Sequence, residues 1–217
     1  MKILITGIAG TIGNTLKNGL SKEHDVVGID LVPGVGVTDL VDLTDRSPQT
    51  LARLDELFRG VEAVIHLALS SKAGGTKLDE VYTDLETRQA DQVNKTMGED
   101  VLWTAHNAGV GRFIFPSSVH AALGGVPGYR DPRAMNAEEH RRVFHRPKVS
   151  ARHVYAPSGG AYGATKIYLE MMGYNFAFTH GMPFVGVRFG NVRKDDDPNE
   201  SDFQRGRELV RQHSWAI

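Results

Sequence analysis

The stretch Lys2-Ile3-Leu4-Ile5-Thr6-Gly7-Ile8-Ala9-Gly10-Thr11-Ile12-Gly13 decides the fold, because a short apolar run leads directly into three evenly spaced glycines. The run from Lys2 to Thr6 predicts a buried parallel strand, and a helix over Thr11–Leu20 is expected to follow the glycines. The N-terminal N–H groups of such a helix can hold a phosphate. Strand, turn and helix therefore occur in the order that a dinucleotide site requires.

The three glycines have separate expected roles in that turn. Gly7 permits a tight turn out of the strand, Gly10 lets the backbone approach a pyrophosphate, and Gly13 lets the helix pack close to the sheet. The spacing is GxxGxxG rather than the more familiar GxGxxG, so the match is to a variant. The alternative is a glycine-rich turn that holds no ligand.

An acidic residue ends the next predicted strand, Asp25–Asp30, at the offset expected of a ribose-binding carboxylate. Asp30 lies 23 residues after Gly7, and a carboxylate there accepts hydrogen bonds from the adenosine ribose hydroxyls. It would repel a 2′-phosphate, and no Arg or Lys lies between Leu31 and Asp45 to attract one. The sequence therefore favours NAD over NADP, although a solvated loop aspartate is the alternative.

A third strand is predicted to end in Val41-Asp42-Leu43-Thr44-Asp45. Asp42 is a candidate to hydrogen-bond the adenine, and Leu43 is a candidate to pack on its face. Thr44 or Asp45 is instead a candidate cap for the following helix, and both interpretations can hold together.

Composition narrows the class of protein. The chain has 217 residues, 41% of them hydrophobic, which suits a single packed core with one domain over residues 1–217. A net charge of −1 gives no indication of binding to nucleic acid or membrane. The absence of cysteine from the sequence excludes disulfides and thiolate metal sites, and no metal is expected. The strand at residue 2 and the lack of a long apolar run predict a cytoplasmic protein.

Strands and helices alternate along the rest of the chain, which predicts a doubly wound parallel sheet with helices on both faces. Ligands of such sheets lie at the carboxyl ends of the strands. Helices are expected over Pro48–Arg59, Val81–Ala108 and Tyr162–Thr179, and strands over Ala63–Ala68, Arg112–Ser117 and Pro183–Phe189. The irregular segment 119–160 is too long for a simple connector, so we expect a lid or substrate loop there.

The candidate chemistry lies in Tyr162-Gly163-Ala164-Thr165-Lys166, where a phenol and an ammonium are four residues apart on one helix face. A phenol is a weak base at neutral pH, but a nearby ammonium and a positively charged nicotinamide favour its phenolate. Tyr162 could then take a proton from a substrate hydroxyl or return it. Lys166 is also expected to bind the nicotinamide ribose. Without the glycine turn, this spacing on a helix would carry little meaning.

Two serines end the apolar strand that precedes this helix, at Ser117 and Ser118. We expect Ser118 to hydrogen-bond the reacting substrate oxygen. Ser117 is the competing choice, because alternation along a strand turns the two side chains in opposite directions. Both could also be ordinary turn residues.

These motifs jointly resemble the extended short-chain dehydrogenase/reductases, also called the NAD-dependent epimerase/dehydratase family, over nearly the whole chain. The resemblance includes Thr6–Gly13, Asp30, Asp42–Asp45, His66–Ala68, Val93–Gly98, Ala108–Val110, Ser117-Ser118, Tyr162–Lys166 and Val187–Asn191. It implies a Rossmann fold with a small C-terminal substrate lobe over 191–217. It also implies a homodimer that packs the helices containing Asn94 and Tyr162 against their mates.

The resemblance also assigns roles to individual residues. It implies that Asn94 supports the active site from the long central helix, together with catalytic Ser118, Tyr162 and Lys166. The residues implied to bind the cofactor are Gly7, Ala9, Gly10, Thr11, Ile12, Gly13, Asp30, Asp42, Leu43, Leu67, Ala68, Leu69, Tyr162 and Lys166.

The substrate side most resembles the uronate dehydrogenases of this family, in which a Ser-Ser-Asn-His stretch corresponds to Ser117-Ser118-Val119-His120. Val119 removes the polar contact of the Asn, which puts a sugar-acid substrate in doubt. Ser71, Ser117, His120 and Asn191 fall at positions implied to bind substrate, although His120 could instead be structural.

Two segments depart from the uronate dehydrogenase pattern. The 119–160 segment is longer and holds seven basic residues, which would suit a carboxylate or a sugar diphosphate or could form a solvated loop: Arg130, Arg133, Arg141, Arg142, Arg146, Lys148 and Arg152. The chain also continues only 26 residues beyond Asn191, so residues 191–217 are expected to be a remnant of the substrate lobe, in a compact member or a fragment.

Three functions agree with these features. The first is an NAD-dependent oxidoreductase acting on a sugar or sugar-acid hydroxyl or carbonyl. The second is a nucleotide-sugar 4-epimerase or dehydratase that retains its NAD. The third is a non-catalytic NAD-binding sensor, against which the joint presence of Ser118, Tyr162 and Lys166 argues.

Overall fold

A computed structural model describes residues 1–70, 84–122, 161–190 and 192. The predicted substrate residues Ser71 and Asn191 lie outside the described residues. So do residues 123–160 of the predicted lid and residues 193–217 of the predicted C-terminal lobe.

Six parallel strands form one sheet in the described part of the chain, in the order β3-β2-β1-β4-β5-β6. This is the strand order of a doubly wound dinucleotide-binding fold, which confirms the predicted fold class. The strands are β1 Lys2–Thr6, β2 Asp25–Asp30, β3 Asp39–Leu40, β4 Ala63–His66, β5 Arg112–Ser118 and β6 Phe184–Phe189.

Four α-helices and one 3₁₀ helix connect these strands within the described residues. They are α1 Thr11–Leu20, α2 Pro48–Phe58, α3 Asp84–Asn107, the 3₁₀ helix Val119–Ala121 and α4 Ala161–His180. The sequence predicted these α-helices to within three residues at each end. Among the described helices, none is long and apolar enough to cross a bilayer.

The predicted third strand was wrong in its position. Strand β3 comprises only Asp39 and Leu40, and Val41–Asp45 follows it rather than ending it. Only two residue pairs join β3 to β2, Ile29 with Asp39 and Asp30 with Leu40. A two-residue edge strand with an exposed Leu40 gives no apolar alternation from which its position could be read.

Two apolar layers cover the two faces of the sheet. On one face, side chains of α2, α3 and α4, such as Phe58, Leu102 and Phe176, pack against strand residues including Leu4 and Phe113. On the other face, Leu16 and Leu20 of α1 pack against a smaller cluster formed by Ile3, Ile5, Ile8, Ala63 and Ile65. Burial on both faces explains why the strands read as continuous apolar runs.

Candidate active site

Gly7 forms a turn that no residue with a side chain could form without strain. Its φ is +68°, and its N–H donates to the carbonyl of Ile29 over 2.9 Å. A Cβ atom at this position would lie 2.7 Å from the backbone nitrogen of Ala68. The turn therefore requires glycine both for its backbone conformation and for the close approach of the chain after β4.

The helix that follows this turn has an N-terminus without a side-chain cap. Gly10 is its N-cap, and no acidic residue occupies the first turn of α1. A Cβ on Gly13 would lie 2.5 Å from the Cα of Ile8, so glycine is required for the helix to pack against the turn. An uncapped helix N-terminus at the carboxyl end of a central strand suits a phosphate group.

Asp30 lies beside the glycine turn, as its position in the sequence predicts. One carboxylate oxygen, Oδ2, accepts a hydrogen bond from the Ala9 N–H over 2.9 Å. The other, Oδ1, accepts from the Leu31 N–H over 2.8 Å. A carboxylate has about four acceptor positions, so the group retains capacity for ribose hydroxyls.

The segment after β3 contains a turn that is held by hydrogen bonds to Asp42, and the N-cap of the following helix α2 differs from the predicted one. Asp42 Oδ1 accepts from the N–H and the hydroxyl of Thr44, over 2.8 and 2.7 Å. The N-cap of α2 is Ser47, whose hydroxyl accepts from the Thr50 N–H. Asp45 supports that cap by accepting from the N–H and hydroxyl of Ser47 and from the hydroxyl of Thr50. The expectation that Thr44 or Asp45 is itself the cap was therefore wrong.

Leu43 is buried and lines a cavity of about 140 Å³ between this segment and α3. Its other lining residues are Thr44, Arg46, Gln92, Val93, Thr96, Met97 and Asp100.

The end of β4 is joined to the start of the glycine turn through Thr6. The Thr6 hydroxyl accepts from the Ala68 N–H over 3.1 Å and lies 2.8 Å from Nδ1 of His66. The backbone N–H of Leu67 donates to the Thr6 carbonyl over 3.0 Å. Burial, reinforced by the charge of Lys166, lowers the pKa of His66 to about 3, so this imidazole is neutral near pH 7.

Asn94 extends this arrangement to α3. Its side chain is buried, and its Oδ1 accepts from the Ser70 N–H over 2.7 Å, which ties the segment after Leu69 to the long helix. Its Nδ2 is buried without a hydrogen-bond partner among the described residues. Asn94 therefore holds Ser70 against α3, and its amide donor is unused within the described part of the chain.

Lys166 lies beneath the Tyr162 ring rather than in solvent. Its side chain is buried, its Nζ donates to the Pro116 carbonyl over 2.7 Å, and Nζ lies 5.5 Å from the centroid of the Tyr162 ring. The centroid of the Phe115 ring is 4.7 Å from the same atom. Burial lowers the pKa of Lys166 to about 8, while the Glu170 carboxylate opposes that shift.

Ser118 and His120 complete a cluster around Tyr162. The Ser118 hydroxyl accepts from the His120 N–H over 3.2 Å at the start of the 3₁₀ helix. The His120 ring meets the Tyr162 ring nearly edge to face, with centroids 5.9 Å apart. Ser117 is also buried, and its hydroxyl has no hydrogen-bond partner among the described residues. The structure thus brings both serines to this region without choosing between them.

Glu170, for which the sequence predicted no role, is a buried charged residue on the same helix as Tyr162 and Lys166. Glu170 is buried one turn after Lys166 on α4, and Arg188 of β6 donates two hydrogen bonds of 2.9 Å to its two carboxylate oxygens. The signal was present as an i,i+4 spacing from Lys166. An apolar helix face with one glutamate, however, does not reveal its partner on a strand.

A model of the NAD-dependent epimerase/dehydratase family matches residues 3–193, which is most of the chain. The chain belongs to the NAD-dependent epimerase/dehydratase family. Membership agrees with the resemblance drawn from the motifs, and it includes both the glycine turn and the Tyr162–Lys166 helix.

Relatives in this family vary in the reaction named for them. The L-arabinose 1-dehydrogenase (NAD(P)(+)) of Haloferax volcanii is 25% identical over 202 residues, which cover 92% of this chain and 70% of the relative. The holo form of the GalE-like L-threonine dehydrogenase from Cupriavidus necator is 26% identical, with a TM-score of 0.66. This chain is covered to 91% in that comparison and spans 58% of the length of that enzyme.

A mutated uronate dehydrogenase shares the fold, with a TM-score of 0.63 and 19% identity. The comparison covers 99% of this chain and 70% of that one. At this identity, the likeness concerns the fold alone.

Proposed function

We propose that the protein is an NAD-dependent oxidoreductase acting on a hydroxyl or carbonyl of a sugar or sugar acid. The observation that carries this proposal is the buried Lys166 ammonium beneath the Tyr162 ring, 5.5 Å from its centroid. Both residues lie at the same sheet edge as the glycine turn. An acid–base group beside a dinucleotide site is what hydride transfer to or from a nicotinamide requires.

The residues of the glycine turn fit NAD. Gly7 and Gly13 allow the close packing against Ala68 and Ile8 that a Cβ would prevent, and the N-terminus of α1, which has no side-chain cap, would hold a pyrophosphate. Asp30 would hold the adenosine ribose and disfavour a 2′-phosphate. The remaining contacts are proposed for Ala9, Thr11, Ile12, Asp42, Leu43, Leu67, Ala68 and Leu69. When bound, NAD supplies the hydride acceptor or donor.

Tyr162 exchanges the proton in the proposed mechanism. In the oxidative direction, its phenolate oxygen takes the proton from the substrate hydroxyl, and in the reductive direction it returns that proton. The Lys166 ammonium stabilises the phenolate by its charge, and Ser118 donates a hydrogen bond to the reacting oxygen. Since the pKa of Lys166 is about 8, this support weakens as the pH rises through that value.

The proposed substrate class rests on the relatives and on the residues near Ser118. L-arabinose is a sugar, and His120 lies against Tyr162, where it can contact a sugar hydroxyl. Ser71, Ser117 and Asn191 are proposed as further substrate contacts. The basic residues of 130–152 are proposed to favour an anionic group on the substrate, within a lid over 119–160.

A nucleotide-sugar epimerase that retains NAD is the second candidate, because the family includes epimerases. The same Tyr162 and Lys166 would serve it. An epimerase would convert the sugar without accumulation of NADH, whereas a dehydrogenase would release NADH.

We also propose a homodimer formed through α3 and α4. Large apolar side chains are exposed on these two helices, with Trp103 46%, Met171 52% and Phe178 92% accessible. A Phe178→Glu variant should then become monomeric in light scattering, whereas a dimer that persists would place the interface elsewhere.

The function is tested by incubating the protein with NAD⁺ and a panel of aldoses, uronates and nucleotide sugars. NADH absorbance and sugar products are followed in the same wells. We expect steady NADH formation with an aldose or uronate. Sugar conversion without net NADH would instead establish the epimerase, and NAD binding without any conversion would contradict both reactions and favour a sensor.

A further inference from the structure

The ion pair between Glu170 and Arg188 is buried and doubly hydrogen bonded. Glu170 is 1% exposed, the Arg188 side chain is 14% exposed, and both N–H···O distances are 2.9 Å. Replacing such a pair by apolar residues of similar volume is often neutral or stabilising. Stability alone is therefore a weak reason for this pair, and its position in the fold suggests another.

The pair links the two elements that flank the reacting groups. Glu170 lies on α4 one turn after Lys166, and Arg188 lies on β6 directly opposite Ser117 of β5. The fork of a guanidinium on a carboxylate fixes both distance and orientation. The helix with Tyr162 and Lys166 is thereby held in one register against β6, which pairs with the strand that carries Ser117 and Ser118.

The pair also determines which charges surround Lys166. From β4, His66 is neutral near pH 7, because its pKa is lowered to about 3 by burial and by Lys166. On α4, the Tyr162 ring centroid is 5.5 Å from the amino group, and Glu170 follows Lys166 by one helical turn. From β6, Arg188 is bonded to Glu170. The Glu170 carboxylate raises the pKa of Lys166 against the larger effect of burial.

We propose that Glu170 and Arg188 are positioning residues, whose ion pair fixes α4 against β6 and keeps a carboxylate one helical turn after Lys166. This inference rests on the proposed function, in which Lys166 acts as a cation. Neither residue touches the reacting atoms, and both act through Lys166.

The test measures the protonation of Lys166 directly, by NMR titration of the isotope-labelled lysine side chains, with the Lys166 signal assigned from a Lys166→Met variant. In Glu170→Gln, the pKa of Lys166 should fall by about one unit or more, because the opposite charge is lost. The matched control is Glu99→Gln, which removes a carboxylate that hydrogen-bonds Tyr168 on another face of α4. That control should leave the pKa of Lys166 unchanged.

Activity provides the second measurement. The fall of kcat/KM at alkaline pH should move to lower pH in Glu170→Gln by the same amount as the NMR titration, and should not move in Glu99→Gln. A change in stability alone would lower activity without changing the pH at which kcat/KM falls. If no substrate is turned over by the wild type, the proposed function fails, while the NMR titration still decides whether Glu170 controls Lys166.

A second variant guards against misfolding of the first. Glu170→Met combined with Arg188→Leu replaces the pair by apolar side chains and leaves no unpaired buried charge. It should fold and lower the pKa of Lys166 by less than Glu170→Gln does, because the positive charge of Arg188 is removed together with the carboxylate. A Lys166 pKa that stays at its wild-type value in a folded variant of either kind would overturn the proposal.

Discussion

The two halves of the carboxyl edge of the sheet are built in different ways. Around β1 and β2, the site is formed by backbone, with Gly7 in a left-handed turn and Ala9 donating to Asp30. Around β5 and β6, it is formed by buried charged side chains, with Lys166 on the Pro116 carbonyl and Glu170 paired with Arg188. The first half depends on glycines that have no side chain. The second half depends on the hydrogen bonds and the ion pair that stabilise buried charges.

The largest expected effect concerns Gly7, where the steric clash of a Cβ with Ala68 can be separated from the strain of a positive φ. Gly7→Ala should destabilise the fold by roughly 3 kcal/mol or more, because the left-handed backbone is strained and the Cβ meets Ala68. Gly60→Ala is the matched control, since Gly60 has φ +72° with nothing within 4 Å of its Cβ position. It should cost about 1–2 kcal/mol. Denaturant unfolding of both variants measures the difference, and equal losses would show that the close approach to Ala68 is unimportant.

The next effect concerns a buried base at the boundary of the two halves. The folded protein holds His66 neutral with a pKa of about 3, whereas an unfolded histidine takes up a proton near pH 6.5. The unfolded state therefore binds the extra proton between these values, so this group makes stability fall as the pH decreases from 6.5 towards 3. The contribution to the slope is about 1.4 kcal/mol per pH unit.

A His66→Asn variant should lose that part of the slope, which urea unfolding at several pH values measures. Val64→Ala, in the same strand, should lower stability at every pH without changing the slope. An unchanged slope in His66→Asn would mean that the pKa of His66 is the same in the folded protein as in the unfolded chain.

A smaller effect tests the backbone half by ligand binding. Asp30→Asn should weaken NAD⁺ binding about tenfold, or about 1.4 kcal/mol, because the ribose hydroxyls lose a charged acceptor. Asp25→Asn, which changes an exposed aspartate at the opposite end of the same strand, is the matched control and should leave the affinity unchanged. Isothermal titration calorimetry with NAD⁺ and NADP⁺ compares them, and equal losses in both variants would remove the special role of Asp30.

The geometry of the backbone half was predictable from the sequence, because the turn, the helix and the position of Asp30 follow from local spacing, while their binding of NAD stays a prediction. One strand–helix–strand unit contains Gly7, Gly10, Gly13 and Asp30. Within such a unit, spacing along the chain determines which residues lie close together. The long helices and central strands were equally predictable from their apolar patterns. Strand β3 was not, because two residues at the sheet edge leave no periodicity to read.

The charged half could be predicted only in part. Tyr162 and Lys166 were recognisable from their helical spacing. Their supports depend on tertiary contacts, since the Pro116 carbonyl is 50 residues from Lys166 and Arg188 is 18 residues from Glu170. No local sequence pattern predicts that Lys166 is buried or that Glu170 pairs with Arg188 on the strand that follows.

The most direct measurement of the proposed function compares Tyr162→Phe with Tyr168→Phe, using NAD⁺ and the sugar that gives the fastest NADH formation. Tyr168 lies on another face of α4, where its hydroxyl donates to Glu99. We predict that Tyr162→Phe lowers kcat at least about 100-fold while the protein still binds NAD⁺, and that Tyr168→Phe retains turnover. Full turnover in Tyr162→Phe would contradict the proposed role of the Tyr162–Lys166 pair.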